Sequence, residues 1–416
     1  MRRALLYAYV ACLIPRLIAG LIWPTPRYTY HWELSQSLLR DGVMGFDGRP
    51  TTYLEPLYPL VLAGMQALAH GRTPLVLVLQ AALAASGGVA LFLLADRIAG
   101  RRAAWFATLA YACSPYLVRQ SASYLALSLT IPLTLTAVWS LARATRVRDA
   151  AFGGILFGLL MLTRASFGLP LAAAAAWLAW RRRPAFAAAL VGAALAVQAP
   201  WLVRNARVDG SLLPTRIGEN LLVSTAPYTD GVVPIYDVDV LVPIANAQAE
   251  AALPSEQQDS QQALDAAMLR IALRFIATEP WHAVRLKLAN LVYVFDPLLL
   301  PRHPAGPNAR AILRDGRVYL QGLRTRPWAH EIAQATAQAA VLLLGAIALA
   351  GRRLTRDEEV VLVVAAANAL TCVIFFPTTR LLAPTSALLM VWAGAGAARL
   401  LQRGAIVYSG AGAHTV

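Results

Sequence analysis

Acidic residues, lysine and cysteine are all scarce in this 416-residue chain. Charged residues of both signs make up 14% of it, against about 25% in a typical soluble domain. Hydrophobic residues make up 58%, which excludes a disordered chain and fits poorly with an ordinary soluble enzyme. Cys12, Cys113 and Cys372 all lie in apolar runs, so neither a disulfide framework nor a thiolate metal site is expected. The six histidines are scattered, and the short loops hold no glycine-rich phosphate cradle, nucleotide fingerprint or Ser/His/Asp pattern. The sequence therefore supports no cofactor and no divalent metal. It also argues against a nucleotide-linked substrate handled in those loops.

What the chain has in quantity is long apolar runs. At about 20 residues per crossing, candidate membrane spans are 4–23, 74–96, 103–118, 124–143, 150–165, 167–180, 185–203, 332–351, 358–377 and 382–402. Met1-Arg2-Arg3 followed by an apolar stretch imitates a secretory signal, but the stretch contains Arg16 and no small-residue cleavage site follows. A retained first span is expected. Arginine clusters at Arg2/Arg3, Arg97/Arg101/Arg102, Arg143/Arg146/Arg148, Arg181–Arg183, Arg352/Arg353/Arg356 and Arg399/Arg403 fall in every second connection. By the positive-inside rule this suits ten spans with both termini in the cytoplasm. The net charge of +15 then reads mainly as a topology signal, not as a nucleic-acid surface. All but one of the 37 basic residues are arginine, Lys287 being the exception, a bias that fits genome composition.

The expected fold class is an all-α polytopic membrane protein with ten or eleven transmembrane helices, juxtamembrane helices and a long extracytoplasmic loop. It divides into an N-terminal transmembrane core (1–203, with the outer loop 24–73), an extracytoplasmic region (204–331) and C-terminal spans (332–416). Leu57–Ala69, opened by Pro56 and Pro59, suits a helix in the membrane interface. The region from Arg204 to Glu331 carries 13 basic and 13 acidic residues, so it is neutral and wet. Within it Leu264, Met268, Ile271 and Phe275 recur at helical spacing up to Pro280. Residues 282–300 form either a juxtamembrane helix or an eleventh span.

Chemistry is concentrated in the first outer loop, which holds Glu33, Asp41, Asp47 and Glu55. A carboxylate at the membrane surface can act as a general base on an acceptor hydroxyl. Glu33 opens a helical pattern beside Trp32, whereas Asp41-Gly42 and Asp47-Gly48 read as helix-end and turn punctuation. His31 and Glu33 face apart on a helix. Arg119, Arg164, Arg204 and Arg380 end outer-face turns, where arginine can hold a phosphate bidentately or meet lipid headgroups. Tyr53 and Tyr58 can stack on a sugar or anchor at the interface.

The order of these features resembles a known superfamily. An N-terminal span is followed by an acid at a helix start, Leu38-Leu39-Arg40-Asp41-Gly42, then Thr51-Thr52-Tyr53-Leu54-Glu55-Pro56-Leu57-Tyr58-Pro59. Gly100-Arg101-Arg102, Ser114-Pro115, Ala199-Pro-Trp-Leu-Val-Arg-Asn205, Gly218-Glu-Asn-Leu-Leu222 and Phe376-Pro-Thr-Thr-Arg-Leu-Leu-Ala-Pro384 come after. This pattern resembles the GT-C superfamily of membrane glycosyltransferases, specifically protein O-mannosyltransferases and the lipid A aminoarabinose transferase. The resemblance implies a GT-C fold and inverting transfer of a hexose or pentose from a polyprenyl-phosphate carrier, on the outer face of the inner (cytoplasmic) membrane. The acceptor remains open among glycan, lipid and protein. The family's catalytic carboxylate falls on Glu33, where relatives have Asp or Asp-Glu. Substrate contacts fall on Glu55, Tyr58, Arg119, Arg204, Asn220, Tyr228 and Arg380, with Arg380 foremost for the phosphate. The acid that relatives often carry in the next outer turn is missing from Ser114–Tyr124. The competing readings are a transporter or flippase and a non-catalytic envelope-assembly subunit. The first would be expected to show paired halves or midplane acids, and the chain has neither.

Overall fold

The computed structural model describes residues 1–22, 29–210, 212, 216–226, 241–296, 305–314, 317–323 and 328–411. In chain order the elements are α1 (Arg2–Ile22), α2 (Tyr30–Asp41), β1 (Gly45–Phe46), β2 (Arg49–Pro50), α3 (Leu57–Leu68) and α4 (Thr73–Cys113). Next come α5 (Pro115–Ser121), α6 (Leu127–Ala142), α7 (Val147–Met161), α8 (Gly168–Trp180), α9 (Pro184–Asp209), α10 (Ile217–Thr225) and α11 (Val242–Ala251). The chain continues with α12 (Gln261–Thr278), α13 (Pro280–Val294), β3 (Ala305–Arg314), β4 (Arg317–Leu323), α14 (Ala329–Leu349), α15 (Arg356–Ile374) and α16 (Thr379–Ala411).

Five of these helices, α1, α4, α9, α14 and α16, are long and apolar enough to cross a membrane by length and composition. The chain is a multi-pass membrane protein. α4 is two crossings in one: its 41 residues hold about 60 Å of helix in all, twice the hydrocarbon thickness. The helix is folded back so that the Tyr111 hydroxyl donates to the Ala84 carbonyl at 2.8 Å. It breaks at Gly100, whose φ of 82° and ψ of 174° suit only glycine. That break lies inside the Arg97–Arg102 cluster, where the sequence put a connection. The remaining predicted spans coincide with α6, α7, α8 and α15, of 16, 15, 13 and 19 residues. α6 buries 13 of its residues inside the bundle, so it meets mostly protein.

α4 is the hub, packing against α1, α6 and α16; α7 packs on α9, α14 on α16, and α15 on α8. Lipid supplies no hydrophobic force between helices, so close packing has to hold them. Gly154 and Gly158 of α7 provide it: a Cβ at either would collide with the α9 backbone at Leu190 or Ala194.

α2, α3 and α10–α13 gather at the end of the bundle opposite the Gly100 break. α2 starts where the Thr29 hydroxyl accepts the Trp32 N–H at 3.1 Å, a cap worth about 1 kcal/mol. It stops at Gly42, with φ 67°. Asp47 and Gly48 both take positive φ and turn the β1–β2 hairpin. α12 ends as expected ahead of Pro280. α13 has 15 residues, and Lys287 and Asn290 donate to the carbonyls of Ser224, Val373 and Phe375. It packs against α15. The antiparallel pair β3–β4 is a departure from the helices and loops expected across 204–331. Its signal was the alternation in Ala311–Leu320 around Asp315-Gly316, a dipeptide that favours hairpins.

Candidate functional site

The first outer loop is fastened from several sides. Arg204 of α9 donates to the Thr51 carbonyl at 2.6 Å and the Met44 carbonyl at 3.2 Å, with its guanidinium over Trp201. Thr51 donates to Gln261 of α12 at 2.7 Å, and Thr52 donates to Asp209. Leu57 N–H reaches the Leu162 carbonyl at 2.9 Å, and Ala165 N–H donates to Glu55 Oε1 at 2.6 Å. These bonds set Glu55 beside Arg164, in the turn after α7.

Arg164 Nη1 donates to the Arg380 carbonyl at 3.3 Å, joining that turn to the start of α16. From the other side comes Arg216, just before α10. Its Nε and Nη2 donate to Glu219 Oε1 at 3.2 and 2.9 Å, and its guanidinium lies 4.6 Å from the Tyr53 ring centre. Tyr53 donates its hydroxyl to Glu219 Oε2 at 3.0 Å. Burial, offset in part by Arg216, raises the Tyr53 phenol well above its usual range, so it stays a donor. Glu219 is itself buried and held through its backbone N–H by Asp265 of α12.

His31 projects into the middle of this arrangement. Its ring meets Tyr58 edge-on, with centroids 5.0 Å apart. Burial, then the charges of Arg380, Arg216 and Arg164, push its pKa down to about 3. Three arginines from three separate segments thus act by charge on one imidazole, and Glu55 acts on two of them, Arg164 and Arg216.

The predicted residues divide accordingly. Glu55 and Arg380 are part of this group. Glu33 is half-buried on α2, and its carboxylate makes no hydrogen bond or ion pair among the described residues, while its N–H donates to the Thr29 carbonyl at 3.0 Å. Two positions after His31, it lies about 160° away around the helix. Tyr58 corrects the expectation of an interface aromatic: it is fully enclosed, and its hydroxyl donates to Gln80 Oε1 at 2.6 Å. Gln80 in turn holds the Ser121 and Ser123 carbonyls, so Tyr58 offers no face to a sugar. Arg119 is engaged with His330 at the start of α14, and Arg204 is spent on loop carbonyls. Asn220 is half-buried beside Glu219. Tyr228 lies outside the described residues. His31, Arg216 and Glu219 were not singled out from sequence. Arg216 sits in a segment of balanced charge, and only tertiary approach distinguishes it.

Near this group an apolar cavity of about 570 Å³ runs between α4, α14, α15 and α16. Tyr116 and Thr379 line it; Thr379 adjoins Arg380, and Tyr116 acts on the Arg164 charge. Leu109 and Leu362, which also line it, are exposed on the spans. Among the described residues no group of three or more His, Cys, Asp or Glu could hold a metal.

Residues 49–203 match the family described as dolichyl-phosphate-mannose-protein mannosyltransferase, and the resemblance seen in the sequence is borne out over that stretch. No curated protein matches the chain. Among solved structures, ArnT from Cupriavidus metallidurans in the apo state is similar at 13% identity and a TM-score of 0.43, over 95% of this chain and 78% of that one. The same protein bound to undecaprenyl phosphate is similar at 14% identity and 0.43, over 94% and 77%. The oligosaccharyltransferase AglB from Archaeoglobus fulgidus, in complex with an inhibitory peptide and a dolichol-phosphate, is similar at 14% identity and 0.49, over 99% and 52%.

Proposed function

We propose that this protein is a membrane glycosyltransferase. In this reading it moves a sugar, with inversion, from a polyprenyl-phosphate-linked donor to an acceptor hydroxyl on the outer face of the cytoplasmic membrane. The observation that carries the reading is the convergence of Arg164, Arg216 and Arg380 beside an apolar groove that opens on the spans. A lipid with a phosphate at its head needs both: dispersion contacts along the chain and charge-assisted hydrogen bonds at the phosphate. The family match over 49–203 supports the same reading, since that stretch contains Glu55, Arg164 and all of α4.

The chemistry follows from the charges. The acceptor oxygen attacks the anomeric carbon, and the bond from that carbon to the phosphate oxygen breaks with its electron pair left on the phosphate. Negative charge grows at the phosphate, and preorganised arginines stabilise it there without reorientation. A carboxylate removes the acceptor proton. Glu55 is our choice for that base, because it shares the cleft with the arginines. Glu33 is the alternative carried by the resemblance, favoured by its free carboxylate.

Transfer of a radiolabelled sugar in proteoliposomes tests this. Glu55→Gln is expected to lower turnover by about 10²–10⁴-fold, the usual worth of a general base, with donor binding retained. Wild-type turnover by Glu55→Gln together with loss of turnover in Glu33→Gln would return the role to Glu33. Wild-type turnover by both would remove the carboxylate mechanism.

A further inference from the structure

Lys287 stands apart in the sequence and has no part in the transfer chemistry. Every other basic residue of the chain is arginine, and the two are not interchangeable: an ammonium is a compact point charge with three donors, a guanidinium a wide planar fork. Lys287 is half-buried on α13 and makes no salt bridge among the described residues. Its ammonium donates instead to the Ser224 carbonyl at 3.2 Å, the Ser224 hydroxyl at 3.3 Å and the Phe375 carbonyl at 3.5 Å. Ser224 lies in the last turn of α10, and Phe375 caps the end of α15. At helix C-termini carbonyls lack intrahelical partners and the dipole favours a cation. Asn290, one turn further along α13, donates to the Val373 and Phe375 carbonyls at 3.1 Å each, so it holds α15 but not α10. Apolar packing closes the same junction: Phe376 shares a buried cluster with Leu222 and Val223 of α10 and Met268 of α12, and Leu381 packs against it.

We propose that Lys287 is a positioning residue for the phosphate site: by joining the end of α10 to the end of α15, it sets the spacing of Arg216 and Arg380. The inference rests on the reading of the arginine group as a phosphate site. Arg216 directly precedes α10 and is bonded to Glu219 of that helix at 2.9 Å, so it moves with α10. Arg380 follows Phe375 by five residues, in the first turn of α16, and its carbonyl is bonded to Arg164, so it moves with the bundle. Tyr53 anchors the first turn of α10 through Glu219, and Lys287 anchors the last. With both ends held, α10 has one direction relative to the α15–α16 connection. Arginines already at the right spacing bind a phosphate without being ordered by it, which is where preorganised sites gain affinity. Lys287 stays on its carbonyls and acts through the two arginines, without touching the ligand.

The affinities of the full-length protein in lipid nanodiscs for a polyprenyl monophosphate and for the matching polyprenol test it. Lys287→Met keeps the length of the side chain and removes its donors. It is expected to bind the monophosphate about tenfold more weakly, the lower end for one charge-assisted hydrogen bond, and the polyprenol within about threefold of wild type. A general loosening of the fold would instead weaken both lipids alike and would overturn the proposal. In an Arg380→Ala background the same substitution is expected to cost less than about threefold, because the pair it spaces is gone; a full tenfold loss there would also overturn it. Lys287→Arg keeps the charge but not the compact head, and is expected to resemble Lys287→Met. Wild-type affinity in Lys287→Arg would show that charge alone suffices and would remove the positioning role. Should Lys287→Met fail to fold, Lys287→Gln carries the same comparisons. If wild type binds the monophosphate no better than the polyprenol, the phosphate-site reading itself fails. If it does bind better, and Lys287→Met keeps that advantage, only the role of Lys287 is lost.

Discussion

At the end of the bundle where α4 breaks, Arg352 binds Glu358, Arg181 binds Glu359, and Arg97 meets Asp357 at 2.8 Å. At the α2 end, Arg164 and Arg380 make no salt bridge among the described residues, and Arg164 has only a backbone carbonyl as hydrogen-bond partner. Arginine is used in both regions, but for different work. In the first its charge is consumed by carboxylates from a neighbouring helix, and the pairs lock α15 to its surroundings. Glu358 is the extreme case, 1% exposed and also bonded to Thr355 and Trp392. In the second region three arginines meet two carboxylates, Glu55 and Glu219, and only Arg216 is held in a salt bridge among the described residues. Arg216 is intermediate: Glu219 and Tyr53 hold it in position. The lesson is that arginine count locates neither region; the partners do.

The comparison can be broken by substitutions that move one property and leave the other. Glu358→Ala is expected to have the largest effect, about 3 kcal/mol of stability, because it leaves the half-buried Arg352 and the buried Trp392 N–H without the carboxylate that joins them. Thermal unfolding should show it, and lipid-phosphate binding by the surviving folded fraction should not. Arg380→Ala is expected to do the reverse. It removes a charge-assisted contact worth about 1.5–3 kcal/mol to a bound phosphate, roughly a 10–100-fold loss of affinity, with stability changed by less than about 0.5 kcal/mol. A destabilised Arg380→Ala with unaltered binding would erase the distinction between the two ends. Glu219→Gln, which keeps the shape but weakens the hold on Arg216, should cost about 1 kcal/mol of phosphate affinity.

A fourth effect is in the pH dependence of stability. His31 is held near 3 in the folded protein against an ordinary 6.5, so between those values the unfolded chain binds a proton that the folded one refuses. Its contribution to stability is therefore complete above about pH 6.5 and is lost as pH falls toward 3. Melting curves of wild type should fall more steeply than those of His31→Gln across that window, and parallel curves would contradict the burial and charge assigned to His31.

Much of the fold was legible because its signals are one-dimensional. Apolar length and the alternation of arginine clusters located α1, α4, α6–α9 and α14–α16, and Gly100 breaks α4 among the arginines that mark a connection. Thr29, Gly42 and Asp47-Gly48 are local signals, and the chain obeys them. The β3–β4 pair went unread because its alternation lies in a segment already assigned to loop and helix. The site was less legible because it is assembled from segments far apart in sequence. Glu33 stood out as an acid at a helix start, yet no arginine pairs with it among the described residues, while His31, about 160° away around α2, feels the charge of three. Tyr58 had the composition of an interface residue, but Gln80, one polar position in a long apolar run, captures its hydroxyl. Arg216 is unremarkable among thirteen balanced charges until α10 folds over Tyr53.

The central claim is that the α2 end is a phosphate site for a lipid carrier. The direct test is the affinity of the protein in nanodiscs for a polyprenyl monophosphate and for the matching polyprenol, which differs only in lacking the phosphate. With three charge-assisted partners worth about 1.5–3 kcal/mol each before losses to desolvation, the phosphate is expected to tighten binding at least about 100-fold, and the Arg216→Ala/Arg380→Ala double variant to abolish that advantage. Equal affinity for the alcohol and the phosphate in wild type would contradict the account.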